Sequence, residues 1–356
     1  IMAKLKILLN APSYKHKNLG GVANHCAGLK DYWSESVFYN AIGKRSNKNG
    51  SGKYWLPWDI VKFIFKICIY RPDFVWLNPS IANNALRRDF IFLNIAKFFR
   101  VKVAIFIHGF NLNNFRNINK IWLVENLNKA NFIMVLAQDF KSRLISAGVT
   151  CPIELTTTKV EDGLLEGFDI NTKDYSSNKL LFLARVEKEK GIYQTLDTYS
   201  ILKKEMPNLS LQISGGGSEL MAAQEYVKSN NINDVIFTGF IDGENIKKAY
   251  KEASLLILIS YSEGMPTNVL EGMAFGLPIV TRPVGGLADF FENNKMGFIT
   301  QSFEPKAFAD GIREILNNPE YAKMIGNYNY GYAKNKFYAS SVARQLECYF
   351  KKYNNK

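Results

Sequence analysis

The sequence predicts an α/β fold made of two doubly wound Rossmann-like domains that face a central cleft. Short apolar runs alternate with helix-length segments, which is the pattern of repeated βα units around a parallel sheet. This alternation breaks near residues 155–175, where three threonines and an acidic Glu-Asp-Gly stretch intervene, and then it restarts. A chain of 356 residues is long enough for two domains of ordinary size.

The apolar runs define the predicted strands in order. The first series is residues 6–10, 74–77, 103–107 and 132–136. The second series is residues 180–183, 209–214, 235–237, 255–259, 278–280 and 297–299, separated by helical stretches such as 193–205. The last segment carries Val342, Leu346, Tyr349 and Phe350 at helical spacing, which predicts a terminal helix with one apolar face. We therefore predict domains at 1–165 and 166–335, followed by a terminal helix at 336–356.

The charge is divided unevenly between the two halves. Residues 1–150 contain 22 Lys+Arg and 7 Asp+Glu, whereas residues 151–356 contain 23 and 25, so the whole excess of +13 lies in the first half. A basic half suggests an anionic partner, which could be nucleic acid, a phospholipid surface or a phosphorylated substrate. A codon bias that enriches Lys and Asn is the alternative explanation. The hydrophobic fraction of 47% excludes wholesale disorder.

The cysteines and the apolar runs bear on the compartment. Cys26, Cys68, Cys151 and Cys348 are widely scattered and form no CxxC spacing, so we expect a reducing, cytoplasmic environment. Residues 1–9 are expected to form a first strand, since their apolar part is short for a signal peptide. No apolar run approaches the roughly 18 residues that a membrane span needs.

The densest candidate site is residues 255–274, where a buried strand leads through a Gly/Pro turn into a short helix. Glu263 is predicted in the turn and Glu271 about one turn into the helix. The backbone N–H groups of Thr267 to Val269 are expected to be unpaired donors that could hold a phosphate. Two solvated glutamates are the alternative interpretation.

Four further candidates follow predicted strands. Arg185 and Lys190 offer positive charge for a diphosphate, or they belong to a solvated charge run. The glycines Gly20, Gly21 and Gly215 lie in loops that could approach a phosphate or be simple turns. His108 follows residues 103–107 and could equally be structural. The carboxyl ends of parallel strands are where such sheets bind ligands, so all five candidates are predicted to line the cleft. No GxxxxGK[ST], HExxH, GxSxG or Asp-x-Asp motif occurs in the sequence.

Together these motifs resemble a known family. Arg185 with Lys190-Gly191, the stretch Val-Ile-Phe-Thr-Gly-Phe at 235–240, and Glu263 with Glu271 are similar to the retaining glycosyltransferases of family 4, which have the two-Rossmann fold called GT-B. The likeness is dense in the second half and reaches the first through the glycine pair and His108. The chain departs from the family pattern at Ala184 and at residues 156–163.

The resemblance implies a role for each site residue. Arg185 and Lys190 are expected to bind the diphosphate of a nucleotide sugar, Glu271 the ribose, and Glu263 the transferred sugar, which His108 also contacts. The implied catalytic residues are Glu263, His108, Arg185 and Lys190. The implied donor-binding residues are Gly20, Gly21, Arg185, Lys190, Gly215, Glu263, Gly264, Met265, Pro266, Thr267, Asn268, Val269 and Glu271.

The resemblance also implies a reaction. A UDP- or GDP-sugar is expected to donate its sugar, with retention and without a metal or other cofactor, to a glycan or lipid-linked acceptor held by the first domain, as in bacterial surface polysaccharide synthesis. The terminal helix is expected to cross back to that domain. Residues 58–70 and 89–100, basic and apolar, could lie on an anionic membrane on its cytoplasmic face, or be ordinary packed helices. A sugar-nucleotide 2-epimerase of the same fold and a nucleic-acid-binding module are the alternatives; we expect no nucleic-acid partner.

Overall fold

The computed structural model describes residues 4–13, 20–43 and 55–355. These residues form two compact α/β units, and each unit contains one parallel sheet. Unit 1 combines the chain up to Lys159 with the segment from Ala339 onward, and unit 2 runs from Val160 to Tyr338. The sequence had suggested divisions at 165/166 and 335/336.

The sheet of unit 1 has six described strands in the order β2-β1-β3-β4-β5-β6, all parallel. The strands are β1 (Lys6–Pro12), β2 (Ser36–Ile42), β3 (Phe74–Leu77), β4 (Lys102–Ile107), β5 (Phe132–Val135) and β6 (Ile153–Leu155). The prediction missed β2 and β6, which are the two edges of the sheet. Strand β2 has only Asn40 and Ile42 buried, and β6 is three residues long, so neither shows a continuous apolar run.

Seven described helices surround this sheet. They are α1 (Gly21–Gly28), α2 (Leu56–Tyr70), α3 (Asn83–Phe98), α4 (Leu112–Asn117), α5 (Lys120–Leu127), α6 (Gln138–Ser146) and α14 (Ala339–Asn354). Each of the first six lies between two strands that are consecutive in the sequence, as crossovers between parallel strands require. The seventh arrives from the far end of the sequence.

Helix α14 packs its apolar stripe on the strands of unit 1. Phe350 is fully buried, and its ring centroid lies 5.3 Å from that of Phe74, 5.5 Å from Trp76 and 5.4 Å from Phe132. The buried carboxylate of Glu347 accepts hydrogen bonds from the backbone N–H groups of Ser34 (2.6 Å) and Glu35 (2.9 Å). A buried carboxylate needs such donors, because desolvation without them is costly. The helix is thus an integral part of the core of unit 1.

Unit 2 repeats the architecture. Its described strands run β12-β11-β10-β7-β8-β9, all parallel. They are β7 (Lys179–Leu183), β8 (Ser210–Ser214), β9 (Val235–Gly239), β10 (Leu255–Leu258), β11 (Ile279–Thr281) and β12 (Gly297–Ile299). The helices are α7 (Ile192–Glu205), α8 (Leu220–Ser229), α9 (Glu244–Glu252), α10 (Thr267–Ala274), α11 (Leu287–Phe290), α12 (Pro305–Leu316) and α13 (Pro319–Lys336). Two doubly wound parallel sheets confirm the predicted fold class.

Within the described ranges, no helix is both long enough and apolar enough to span a membrane.

We predict that Phe350→Ala lowers the free energy of unfolding of unit 1 by about 3–5 kcal/mol, since it leaves a cavity among aromatic rings. All five tryptophans of the chain lie before residue 160, so guanidinium unfolding followed by tryptophan fluorescence reports on unit 1. Arg344→Ala, at an exposed position of the same helix, is the matched control and should change the midpoint little. Equal midpoints for the two variants would show that α14 does not stabilise unit 1.

Candidate functional site

The candidate site of unit 2 is built where β10 ends and α10 begins. All four residues of β10 are buried, and the turn that follows carries Glu263 before α10 begins at Thr267. Pro266 is the N-cap of α10 and has the extended backbone angles that are usual at this position. The carboxylate of Glu263 therefore lies beside the amino end of a helix at the carboxyl edge of the sheet.

Lys190 and Glu263 form an ion pair at this edge. Lys190 Nζ donates to Glu263 Oε1 at 2.5 Å, and both side chains are largely buried. Two hydrogen bonds hold the loops that carry them: the carbonyl of Glu189 accepts from Tyr261 N at 2.9 Å and from Ser260 Oγ at 3.0 Å. The structure thus brings together two of the predicted site residues that stand 73 positions apart.

Two glycines let the loops approach this closely. A Cβ on Gly191, which has φ +73°, would lie 2.0 Å from the carbonyl oxygen of Ile259. A Cβ on Gly215, with φ +149°, would lie 1.9 Å from the carbonyl oxygen of Ala184. No other residue fits either position without moving the backbone. Gly215 therefore fixes the β8 loop against the end of β7, which places it next to Arg185.

Arg185 follows β7, and its partner is Glu187 instead of Glu263. Its side chain is 68% exposed, and its guanidinium donates to Glu187 Oε1 at 2.6 Å. An exposed pair of this kind contributes little stability, so the side chain is available for a stronger anion.

Glu271 lies in the second turn of α10 and is held by a residue that the sequence analysis missed. The hydroxyl of Tyr250 donates to Glu271 Oε2 at 2.8 Å and lies 3.2 Å from the carbonyl of Asn268. Burial and the neighbouring carboxylate raise the pKa of Tyr250 well above its ordinary value, so it remains a donor. Tyr250 stands among lysines and glutamates in α9, where no sequence pattern singles it out.

The helix start corrects one expectation. The N–H of Val269 is not unpaired, because it donates to the carbonyl of Pro266 (3.1 Å) and to Asn268 Oδ1 (3.0 Å). The Asn268 side chain also donates to the carbonyl of Leu183 at 2.7 Å, which ties α10 to the end of β7. Among the described residues, the N–H groups of Thr267 and Asn268 have no backbone partner. Gly264 and Met265 complete the turn; Met265 is buried, and the Gly264 carbonyl accepts from Gly286 N.

Unit 1 places His108 at the carboxyl end of β4. His108 Nε2 lies 2.9 Å from Asn78 Oδ1, and Asn78 Nδ2 donates to the carbonyl of Asn10 at 3.2 Å. Since the Asn78 amide nitrogen is used, its oxygen accepts and Nε2 of neutral His108 donates. Asn40 Nδ2 extends the chain to Asn10 Oδ1 at 2.8 Å. Asn78, Asn10 and Asn40 thus orient His108. The sequence analysis named His108 as a candidate, but it did not name the three asparagines.

The ring of His108 packs between aromatic groups. Its centroid lies 3.7 Å from that of Phe106 and 5.1 Å from that of His25. Burial lowers the pKa of His108 to about 3. Burial, then the charges of His108 and Lys159, lower the pKa of His25 as well. Both rings are therefore neutral near pH 7.

The glycine pair of the first domain is less constrained than the glycines of unit 2. Gly20 and Gly21 are exposed at the start of α1, and a Cβ on either would meet no atom within 4 Å. Packing does not require glycine here, and their predicted contact with the donor stays a prediction.

Comparison with known proteins places unit 2 in context. Residues 166–332 match the family described as Glycosyl transferases group 1. An uncharacterized glycosyltransferase of Haemophilus influenzae is 31% identical over 148 residues, which is 41% of each chain. The capsular polysaccharide biosynthesis glycosyltransferase CapM of Staphylococcus aureus is 22% identical over 76% of each chain.

Solved structures extend the likeness to the fold of the whole chain. Anabaena HepE, crystallised with UDP and glucose, superposes with a TM-score of 0.70 over 98% of this chain and 100% of its own, at 17% identity. The chain spans only 38–48% of the length of three of the curated relatives that it matches.

We predict that unit 1 loses stability as the pH falls from about 6.5 towards 3, because unfolded histidine binds a proton that neutral His108 does not. The loss should be smaller in His108→Gln by up to about 1.4 kcal/mol for each pH unit. Urea unfolding followed by tryptophan fluorescence at a series of pH values measures the stability of the parent protein and of the variant. Parallel pH profiles of the two proteins would contradict the burial of a neutral imidazole.

Proposed function

We propose that the chain, whose residues 166–332 match the family Glycosyl transferases group 1, transfers a sugar from a UDP- or GDP-sugar to a glycan or lipid-linked acceptor. The observation that carries the proposal is the Lys190–Glu263 ion pair at the start of α10, inside the segment that matches the family. The capsule role of the Staphylococcus relative supports bacterial surface polysaccharide synthesis as the pathway.

In this proposal the diphosphate of the donor binds between Lys190 and the start of α10. The ammonium of Lys190 and the unpaired N–H groups of Thr267 and Asn268 offer positive charge, to which the helix dipole adds. Negative charge grows on the leaving phosphate as the glycosidic bond breaks, so preorganised donors at this place stabilise the transition state. These groups need no metal ion for that purpose.

Glu263 is then freed from Lys190 to accept hydrogen bonds from the hydroxyls of the transferred sugar. We assign it this positioning role rather than that of a covalent nucleophile. Retention follows when the acceptor hydroxyl attacks from the face that the phosphate leaves and passes its proton to that phosphate. Arg185 can turn from Glu187 to the diphosphate, because an exposed ion pair holds it only weakly.

Glu271 is proposed to bind the ribose of the nucleotide. Its Oε2 accepts a hydrogen bond from the hydroxyl of buried Tyr250, which fixes the position of the carboxylate. Unit 1, which carries the basic excess and the oriented His108, is proposed to bind the acceptor. Its charge also supports a peripheral position on the cytoplasmic face of a membrane.

The test compares two lysines of the same short turn. Lys190→Ala should lower kcat by about 100-fold or more, since it removes charge that faces the leaving phosphate. Lys188→Ala is the matched control, because this exposed ammonium lies 3.9 Å from Glu219 and away from Glu263; its kcat should be close to that of the parent. The kcat of both variants is measured from the release of UDP or GDP, with a panel of nucleotide sugars and with glycan and lipid-linked acceptors.

Two outcomes would contradict the proposal. Equal activity of the two lysine variants would remove Lys190 from the site. Conversion of a nucleotide sugar in the absence of acceptor, with no release of nucleotide, would identify an epimerase instead of a transferase.

A further inference from the structure

The outward face of helix α2 is apolar along its whole length. The six exposed positions of this helix are Pro57, Trp58, Val61, Phe65, Cys68 and Ile69, and none of them is charged. Trp58, Val61, Phe65 and Ile69 follow one another at intervals of three and four residues, so they form a single stripe. Phe65 is 64% exposed. A helix at the surface of a soluble domain ordinarily turns its polar face outward.

The polar residues of α2 point the other way. Asp59 is buried and accepts from the N–H of Gly43 at 2.7 Å. Lys62 Nζ donates to the carbonyl of Ala41 at 2.9 Å, and Lys66 Nζ donates to the carbonyl of Tyr39 at 2.6 Å. Both lysines therefore bind the backbone of β2. The helix is thus apolar towards solvent, and its charges are used internally.

A basic cavity adjoins the carboxyl end of this stripe. Arg71 ends α2 and Arg100 follows α3, and both line a cavity of about 590 Å³ together with Cys68, Phe99 and Lys102. Among the described residues, neither arginine side chain has a hydrogen-bond or ion-pair partner. The acidic residue of the lining, Asp73, accepts from the backbone N–H of Lys6 at 2.8 Å. Phe98, which is 83% exposed, stands two residues before Arg100.

The backbone at both arginines is unusual. Arg71 has φ +47° and Arg100 has φ +57°, a left-handed region that favours glycine or asparagine. Two helix ends thus carry arginine where a smaller residue would be less strained. The arrangement presents two unpaired guanidinium groups, which suit phosphate oxygens, at the border of an apolar surface.

We propose that unit 1 binds an anionic phospholipid bilayer through the outward face of α2, with the phosphate of a lipid headgroup held by Arg71 and Arg100. The apolar stripe lies among the upper acyl chains, and the basic cavity lies at the level of the headgroups. This membrane contact rests on the proposed function in one respect: a lipid-linked acceptor is found at a membrane, so a transferase that uses it would bind there.

The charge of the surrounding surface selects this occupant. Residues 55–102 contain eight Lys+Arg and three Asp+Glu, and all three acids are engaged: Asp59 and Asp73 with backbone N–H groups, and Asp89 with Arg88. A second copy docked through the same face would bring two basic cavities into one interface, because a two-fold interface contains the same patch from both copies. An anionic bilayer offers the opposite charge over a broad surface.

The first test measures co-sedimentation of the chain with two kinds of vesicle, in the absence of any nucleotide sugar. One kind contains phosphatidylcholine alone, and the other also contains about 30% phosphatidylglycerol, which gives the surface a negative potential. The parent chain should bind the anionic vesicles, less tightly as salt rises, and its tryptophan emission should shift to shorter wavelength as Trp58 leaves water. Phe65→Glu should weaken binding by about 10-fold or more, because it places a carboxylate at the centre of the stripe. Met221→Glu is the matched control, since Met221 is 82% exposed in unit 2, and it should bind as the parent does.

The second test concerns the cavity. The double variant Arg71→Asn/Arg100→Asn introduces asparagine, which tolerates a left-handed backbone. Its affinity for the anionic vesicles should fall by about 5-fold for each charge removed. Lys228→Asn/Lys323→Asn removes the same charge from exposed positions of unit 2 and serves as its control. Equal losses in the two double variants would show that net charge alone, and not the cavity, binds the lipid.

Other outcomes would overturn the proposal altogether. They are parent binding to neither kind of vesicle, equal binding to both kinds, or unchanged binding by Phe65→Glu. A dimer in light scattering that Phe65→Glu dissociates would assign the face to a second copy. Transfer to a soluble glycan acceptor is measured separately on the same variants, so a failure of lipid binding and a failure of transferase activity can be told apart.

Discussion

The candidate donor site depends on backbone segments of unit 2 that meet too closely for any side chain to stand between them. The loop after β7 touches the end of β10 at Gly191, the loop after β8 touches the end of β7 at Gly215, and Gly285, with φ +53°, would place a Cβ 2.2 Å from the carbonyl of Gly264. Parallel strands deliver these loops to one edge of the sheet, and the glycines let them come into contact. The Lys190–Glu263 ion pair spans two of the loops, so its geometry is set by the backbone before any ligand arrives.

The sequence predicted strands where apolar residues follow one another without a break. All six strands of unit 2 were found within two residues of their ends, including the edge strands β9 and β12. Strands β2 and β6 of unit 1 were missed, since Asn40 interrupts the first and Glu154 the second. In the site, the sequence indicated which charged residues follow strands, but their partners come from tertiary packing. The contacts of Tyr250 with Glu271 and of Asn78 with His108 join residues 21 and 30 positions apart, and no local pattern reports them.

The two units use charge in different ways. Unit 2 contains 18 Lys+Arg and 23 Asp+Glu, so it has no basic excess and relies on a few placed groups such as Lys190. Unit 1 carries the basic excess, yet the structure turns Lys62 and Lys66 inward to β2 and leaves the guanidinium groups of Arg71 and Arg100 at the surface. Basic composition alone therefore indicated an anionic partner, but it did not indicate which cations face solvent. The apolar outward face of α2 is a second feature that favours a membrane surface, and a count of charges does not reveal it.

The central claim is that a nucleoside diphosphate binds at Lys190 and the start of α10. A crystal structure of the chain with UDP or GDP tests it most directly. We expect diphosphate oxygens within about 3 Å of Lys190 Nζ and of the N–H groups of Thr267 and Asn268, with the carboxylate of Glu263 released from Lys190. A nucleotide bound elsewhere on the chain, with the Lys190–Glu263 pair intact, would contradict the account.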